Sequence, residues 1–505
     1  MSHRRMLFVF FGVLLGLTLS GLDGSIVATA APSILAELGS VRLLPWLTTS
    51  YLLAQVTTMG LFGKVGDVFG RRRMFTIAVS TFIFASVLCG AAQSMEMLIA
   101  FRVLQGFGAG GITALGMALV SDVVPAEKLG RYLGYTGIVF AITSILGPTA
   151  GGFFTDTVSW RFAFFVNIPS GLLCLFTLFF APKSVFDRKQ KIDFLGAALL
   201  GVTAASTLLA IGGTGGPVVW LSFRTLGLLG LAVASGLAFG FRQTRAPVPL
   251  MPLRIFSQRA SFLSLMANLT TGMAFGASIV YPPLFFQAVV GMDATQAGLL
   301  LGPFAFTSAF TTLMAGQLTD RFGGYKVLPF IGSLLCVSSF VLLSSITAST
   351  SALFIVLFAM VGGAGIGFVM QTLLFVVHRF TNPQDVGSAT SAVMLGRVLG
   401  NAMGVAVVGS VFTNALLSTV NKNLPGLPAS ELQGSPAKIA ELSAPAQVIV
   451  KDAFASSLAT GFRAVIPFML VGVVLIAMLP AKKIRERVSM SVEEVPLADA
   501  FAHGG

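Results

Sequence analysis

The chain has 505 residues, of which 55% are hydrophobic and only 10% charged, and its mean hydropathy is +0.89. A soluble domain typically carries about 25% charged residues, so a string of soluble domains is excluded and an all-α polytopic membrane protein remains. The net charge of +13 invites a nucleic-acid reading, which the placement of the charges excludes below.

The start, "MSHRRMLFVFFGVLLGLTLSG", sets two arginines before an apolar run, as a signal peptide does. The apolar character continues to Ala31, so this stretch is read as an uncleaved first helix. A span needs about 20 apolar residues. By that measure fourteen spans lie near 7–30, 44–62, 74–93, 97–120, 131–154, 162–181, 194–213, 221–240, 260–288, 296–317, 327–346, 351–376, 389–417 and 459–479. Asp23, in the first, is the only acidic residue placed deep in a span. A charge at the bilayer centre costs roughly 2.5–3.5 kcal/mol on insertion scales. A carboxyl that is desolvated in one state and paired with a cation in another takes up and releases a proton; a structural hydrogen bond between helices is the alternative.

"GKVGDVFGRRR" (63–73) follows the second span and recurs as "GQLTDRFGGYK" (316–326) after the tenth. Each cassette is expected to sit where a helix begins, with Asp67 and Asp320 bonding the exposed N–H groups there. Gly63, Asp67, Gly70, Arg71, Asp320, Arg321 and Arg131 are read as a cytoplasmic gate, with topology anchoring alone as the alternative. In the fourth span Arg102 lies roughly 8 Å below the outer face. Asp23 lies roughly 24 Å from the inner one, so the two share a depth; snorkelling of Arg102 is the other reading. Gly147, Pro148, Gly151 and Gly152 in the fifth span let helices approach and bend. Polar and apolar cavity candidates are Gln55, Asn268, Gln287, Gln371, Met273, Phe275 and Phe286. Arg397 either binds an anionic group or snorkels.

Removing spans seven and eight brings the cassettes six spans apart. The expected domains are therefore a six-helix bundle (1–182), an inserted helix pair with linkers (183–255), a second six-helix bundle (256–480) and a tail (481–505). The pair is expected to contribute little to the working cycle. Segment 418–458, rich in Pro, Ser and Ala, reads as an external loop, solvated or with a short interfacial helix. Most of the 32 Lys and Arg fall on alternate loops, which puts both termini in the cytoplasm of a plasma-membrane protein. The basic charge is thus topology, and nucleic acid is not a partner. Parallel six-span repeats mark a transporter class with its site near the midplane between the halves.

Cys89, Cys174 and Cys336 each sit in an apolar run, and His3, His378 and His503 are scattered, so no metal motif is read. No Gly-x-x-x-x-Gly-Lys-Ser/Thr loop appears. With no cofactor, the work falls to an ion gradient: one proton moving down 100 mV yields about 2.3 kcal/mol, enough for roughly a 50-fold substrate gradient.

Four stretches in order, "LDGSIVATAAPSI" (22–34), "GKVGDVFGRRR", "RVLQGFGAGG" (102–111) and "GPTAGG" (147–152), resemble the first-span, loop, fourth-span and antiporter motifs of the major facilitator superfamily. The specific resemblance is to its fourteen-span drug/proton antiporters, and "WRFAFFVNIP" (160–169) adds to it. Val68 departs from the basic residue usual after the loop Asp, as do Gly24-Ser25 and Ala28-Thr29 from the usual first-span Thr and Asn. The resemblance implies proton transfer at Asp23 and Arg102, and a seal at 147–152 that favours exchange over symport. The reading is a monomeric, proton-coupled exporter of small amphipathic compounds working in the lipid bilayer, not an enzyme. Alternatives are an exporter or flippase of a lipid or endogenous metabolite, and a non-transporting receptor.

Overall fold

A computed structural model describes residues 3–38, 43–125, 128–181, 193–212, 222–246, 249, 254–292, 294–322, 325–382, 385–424 and 442–480. Seventeen helices make up the described fold. The first seven are α1 (His3–Leu38), α2 (Leu44–Phe69), α3 (Arg71–Gly90), α4 (Met95–Val123), α5 (Leu129–Thr157), α6 (Phe162–Phe165) and α7 (Asn167–Leu178). Then come α8 (Phe194–Gly212), α9 (Phe223–Arg245), α10 (Arg254–Ser257) and α11 (Arg259–Phe285), which runs on into a π-helical turn, Phe286–Val290. The rest are α12 (Ala294–Leu299), α13 (Gly302–Phe322), α14 (Val327–Leu343), α15 (Ala352–Phe380), α16 (Val386–Asn423) and α17 (Ala444–Ala477).

Helix falls on every stretch read as a span. Among the described residues nine helical stretches are long and apolar enough to cross a membrane, and Phe162–Leu178, Phe194–Thr207 and Val327–Leu343 are shorter apolar helices. This is a multi-pass membrane protein; the count of fourteen goes beyond what these lengths establish.

Both ends of the expected loop 418–458 are helical. Residues up to Asn423 belong to α16, and those from Ala444 belong to α17. Lys422, Lys451 and Asp452 lower the local hydropathy, but a helix need not stop where hydrocarbon does. The 38 residues of α16 span about 57 Å against ~30 Å of bilayer core. Residues 425–441 and the tail 481–505 lie outside the described residues.

Glycine decides how closely the helices pack. On α4, a Cβ at Gly106 would stand 2.3 Å from the Tyr51 carbonyl oxygen of α2, and one at Gly110 would stand 2.1 Å from Thr58 Oγ1. Gly108 and Gly111 meet α3 just as tightly, at 2.8 Å from the Ala78 carbonyl oxygen and 2.6 Å from its Cβ. In the second half α15 repeats the device: Gly363 and Gly367 abut α13, while Gly362 and Gly365 abut α14. Without a hydrophobic force between lipid-bathed helices, such close backbone approach supplies the packing energy.

The starts of α1 and α3, which carry Arg4, Arg5 and Arg71 to Arg73, meet the C-terminal ends of α4 and α7 at one end of the molecule, here the basic end. There Arg72 donates to the carbonyls of Phe179 (2.8 Å) and Ala181, and Arg5 donates to that of Phe180 (2.7 Å). Both cations thereby cap the carbonyl end of α7. At the opposite end Glu37 accepts from Arg161 (2.5 Å) and Trp160 (2.6 Å). The helices α8 and α9, which fall in the expected inserted segment, pack on each other, and α8 also packs on α2 and α16. The side chain of Leu200 covers Gly60, and that of Thr57 covers Gly201.

Candidate functional site

Asp23 is fully buried where α1, α3, α4 and α7 meet. Its Oδ2 accepts from Arg102 Nη1. Its Oδ1 accepts from Gln105 Nε2 at 2.7 Å and Asn167 Nδ2 at 3.1 Å. Both amides also donate to Ser86 Oγ, at 2.8 and 3.3 Å. Arg102, likewise fully buried, donates through Nε to the Leu47 carbonyl (3.1 Å) and through Nη1 to Gln105 Oε1 (2.7 Å). Its guanidinium lies 4.1 Å over the Tyr51 ring, a desolvated cation–π contact. The Tyr51 hydroxyl donates to the Ser20 carbonyl (3.2 Å), and Gln55 Nε2 reaches Ser20 Oγ (3.3 Å) and Thr113 Oγ1 (3.4 Å). A buried ion pair stands only when its remaining hydrogen-bonding sites are also met, and this network meets nearly all of them.

The glycine motif of α5 flanks this site. Thr143 touches the Cβ position of Gly21 at 3.0 Å, two residues from Asp23. Gly147 and Gly151 follow Thr143 at four-residue steps and share its face of the helix, and both are buried. Pro148 and Gly152 belong to α5, but their side-chain surroundings lie outside the described residues.

At the basic end the loop cassette is placed differently from the expectation. Asp67 lies in the last turn of α2, and α3 starts behind Gly70 without a side-chain cap. The carboxylate of Asp67 accepts from Arg71 (3.0 and 2.9 Å) and, across the two halves, from the backbone N–H (3.3 Å) and hydroxyl (3.4 Å) of Ser388. Ser388 is the third residue of α16, whose own N-cap residue Asp385 makes no capping bond and instead pairs with Arg254 at 2.5 Å. Asp67 therefore caps α16 rather than α3, because the close approach of α2 to α16 brings a free N–H within its reach. That approach needs glycine: a Cβ on Gly63 would lie 2.0 Å from Ser391 Oγ, and one on Gly387 would lie 2.3 Å from Asp67 Oδ1. Arg71 also binds Asp122 of α4, and Arg131 is exposed in the first turn of α5. The side chains of Asp320 and Arg321, at the end of α13, lie outside the described residues.

Gly70 turns the chain from α2 into α3 at φ 94°, ψ 121°. Side-chain-bearing residues are strained in this conformation, by about 1–3 kcal/mol. Gly70→Ala is expected to lower the melting temperature of the purified protein measurably. Gly227→Ala, where a Cβ meets nothing within 4 Å, should leave it unchanged or raise it; equal behaviour of the two would remove the turn's significance.

The cavity candidates do not form one cluster. Gln55 belongs to the Asp23 network, and Gln371 donates to Thr136 of α5 at 2.7 Å, a further bond between the halves. Asn268 is buried and donates to the Ser264 carbonyl (3.1 Å), with its Oδ1 unpartnered. Met273 is buried in the second half's core with its backbone against Gly404, and the Phe275 ring lies 6.3 Å from that of Phe304, tilted by 41°. Gln287 lies half-buried in the π-helical turn, next to the buried Phe286, and Arg397 is buried on α16 beside Gly272.

The profile of the Major Facilitator Superfamily matches residues 13–405. The chain belongs to this superfamily. Multidrug resistance protein 3 of Bacillus subtilis (strain 168) is 32% identical over 489 residues, covering 94% of this chain and 95% of its own. Multidrug transporter protein MdtP of the same organism is 31% identical over 437 residues, covering 85% and 80%. The solved major facilitator proton:xylose symporter XylE, bound to 6-bromo-6-deoxy-D-glucose, shares the fold with a TM-score of 0.62 at 15% identity, over 97% of this chain and 100% of that one. This major facilitator transporter holds Asp23 with two residues that sequence reasoning did not assign, Gln105 and Asn167, both of which also donate to Ser86. Gln105 stands one turn after Arg102 in "RVLQGFGAGG", and Asn167 lies in "WRFAFFVNIP". An amide one helical turn from a buried Arg was the available signal.

Proposed function

We propose that the transporter is a fourteen-span, proton-coupled antiporter that exports small amphipathic organic compounds, with Asp23 as the proton carrier. The observation that carries this reading is the Asp23–Arg102 pair, sealed from water among five helices. An ionised carboxylate accepts from Arg102, Gln105 and Asn167 together. A protonated carboxyl carries a hydrogen on one oxygen and must shed a donor there. A proton taken up on Oδ2 displaces Arg102, which Gln105, Tyr51 and the Leu47 carbonyl already hold. Protonation and the packing of α1 against α4 become one event. The names of the relatives support multidrug cargo.

In this reading the basic end faces the cytoplasm of a plasma-membrane protein with both termini inside. The Asp67–Ser388 contact is the closed inner latch of an outward-facing state, and the Gly147–Gly152 face of α5 is the seal beside the proton site. Purified protein in liposomes carrying an internal pH dye decides. Addition of a lipophilic cation or neutral lipophile should move protons in the opposite direction, and dissipating the pH gradient should stop accumulation. Transport of such compounds indifferent to the proton gradient would overturn the coupling. Counterflow of labelled phospholipid with no counterflow of drug would move the assignment to a lipid exporter.

A further inference from the structure

We infer that a groove between α2, α4 and the inserted α8 is a binding site for one acyl chain of a bilayer glycerolipid, with the lipid's ester carbonyl on Ser50. The groove holds about 630 Å³. Trp46, Ser50, Ala54, Thr57, Thr58 and Leu61 line it from α2, at steps of three and four, so they form one stripe about 22 Å long. Val103 and Phe107 of α4 and Phe194 and Ala198 of α8 make the other walls, and each is exposed. No charged side chain is among the described lining residues.

The polar atoms on the stripe sort the possible ligands. Thr57 Oγ1 donates to the Leu53 carbonyl at 2.7 Å and Thr58 Oγ1 to that of Ala54 at 2.8 Å, so both hydroxyl protons are already committed. Ser50 differs: its side chain is 4% exposed and its hydroxyl has no partner. It sits one turn from Trp46, at the α2 terminus away from the basic end. Trp marks the membrane interface, the level at which ester carbonyls sit above their chains. A single hydroxyl donor at the boundary, followed by about 16 Å of uncharged groove running into the hydrocarbon, matches an ester-linked chain. A chain seated there would touch α8 and α2 together, beside the Leu200–Gly60 contact, and so tie the inserted pair to the first half.

The test is native mass spectrometry of the full-length protein with dioleoyl phosphatidylethanolamine and with its ether-linked analogue, which has the same chains but no ester carbonyl. The ester lipid should be retained about fivefold more strongly than the ether lipid. Ser50→Ala should erase that preference. Ala198→Phe, at an exposed position that adds bulk without disturbing packed core, should cut retention of both. Equal retention of the two lipids by the unaltered protein, or an Ala198→Phe variant that binds as before, overturns the site. Displacement of the lipid by a transported lipophilic cation, with efflux lost in Ala198→Phe, would assign the groove to cargo instead.

Discussion

Asp23→Asn is expected to abolish uphill, proton-driven export while leaving binding of neutral compounds in place. The amide keeps size and polarity but releases no proton. It also leaves Arg102 buried without a counter-charge, and breaking one side of a buried pair typically costs 3–5 kcal/mol. The remaining amide oxygen recovers part of that, so the variant should fold with a lower melting temperature. Cationic compounds should bind more weakly, since the negative partner is gone. Asp23→Glu should retain partial activity with a displaced pH profile. Efflux against a gradient, read in liposomes with an imposed pH step, checks this. An Asn variant that still concentrates substrate at the normal rate removes Asp23 from the coupling, and Asp122, Asp293 or Asp320 becomes the next carboxyl to examine.

Gly63→Leu is expected to disable the transporter by a different route. The first added carbon would sit 2.0 Å from Ser391 Oγ and 2.9 Å from the Gly387 carbonyl oxygen, so α2 and α16 must separate at the basic end. Overpacking of this kind costs about 1–3 kcal/mol, which shifts a two-state equilibrium by roughly 5- to 150-fold. The separation also pulls Asp67 from the N-terminus of α16, a cap worth about 1 kcal/mol. Spin labels on α2 and α16 near this end should report a longer mean distance, and export should fall in proportion to the lost closed population. Unchanged distances together with normal export would show that the contact bears no load in the cycle.

Much of this was readable from residues alone, for definable reasons. Asp23 and Arg102 stood out because charge in hydrocarbon is costly, and helix rise put them at one depth. The cassette at 63–73 was readable as a contact point, but its partner was not. Asp67 caps a helix more than three hundred residues away, and no local rule reports which N–H a side chain meets across an interface. The paired glycines 106/110 and 363/367 were open to reading as an echo of the two cassettes, because each pair abuts the helix that carries one. The first pair lies in the motif "RVLQGFGAGG", but nothing local marks the second, because glycine is frequent throughout the chain. The inserted pair reads as an appendage when the repeat is counted by spans. The contact of α8 with both α2 and α16 comes from packing, which span counting ignores.

The unbroken length of α16 has a mechanical consequence. Ser388 sits at one end, and some thirty residues on Thr419 and Asn423 line a recess with Asp452 and Ser456 of α17. A rod of about 57 Å that pivots by roughly five degrees at one end sweeps the other through about 5 Å. If the Asp67–Ser388 contact is the latch proposed above, its release makes the helix a lever whose far arm is the Thr419–Asn423 end. A fluorophore or an antibody fragment placed on that arm would then read the state of the Asp67–Ser388 contact at the other end of the helix.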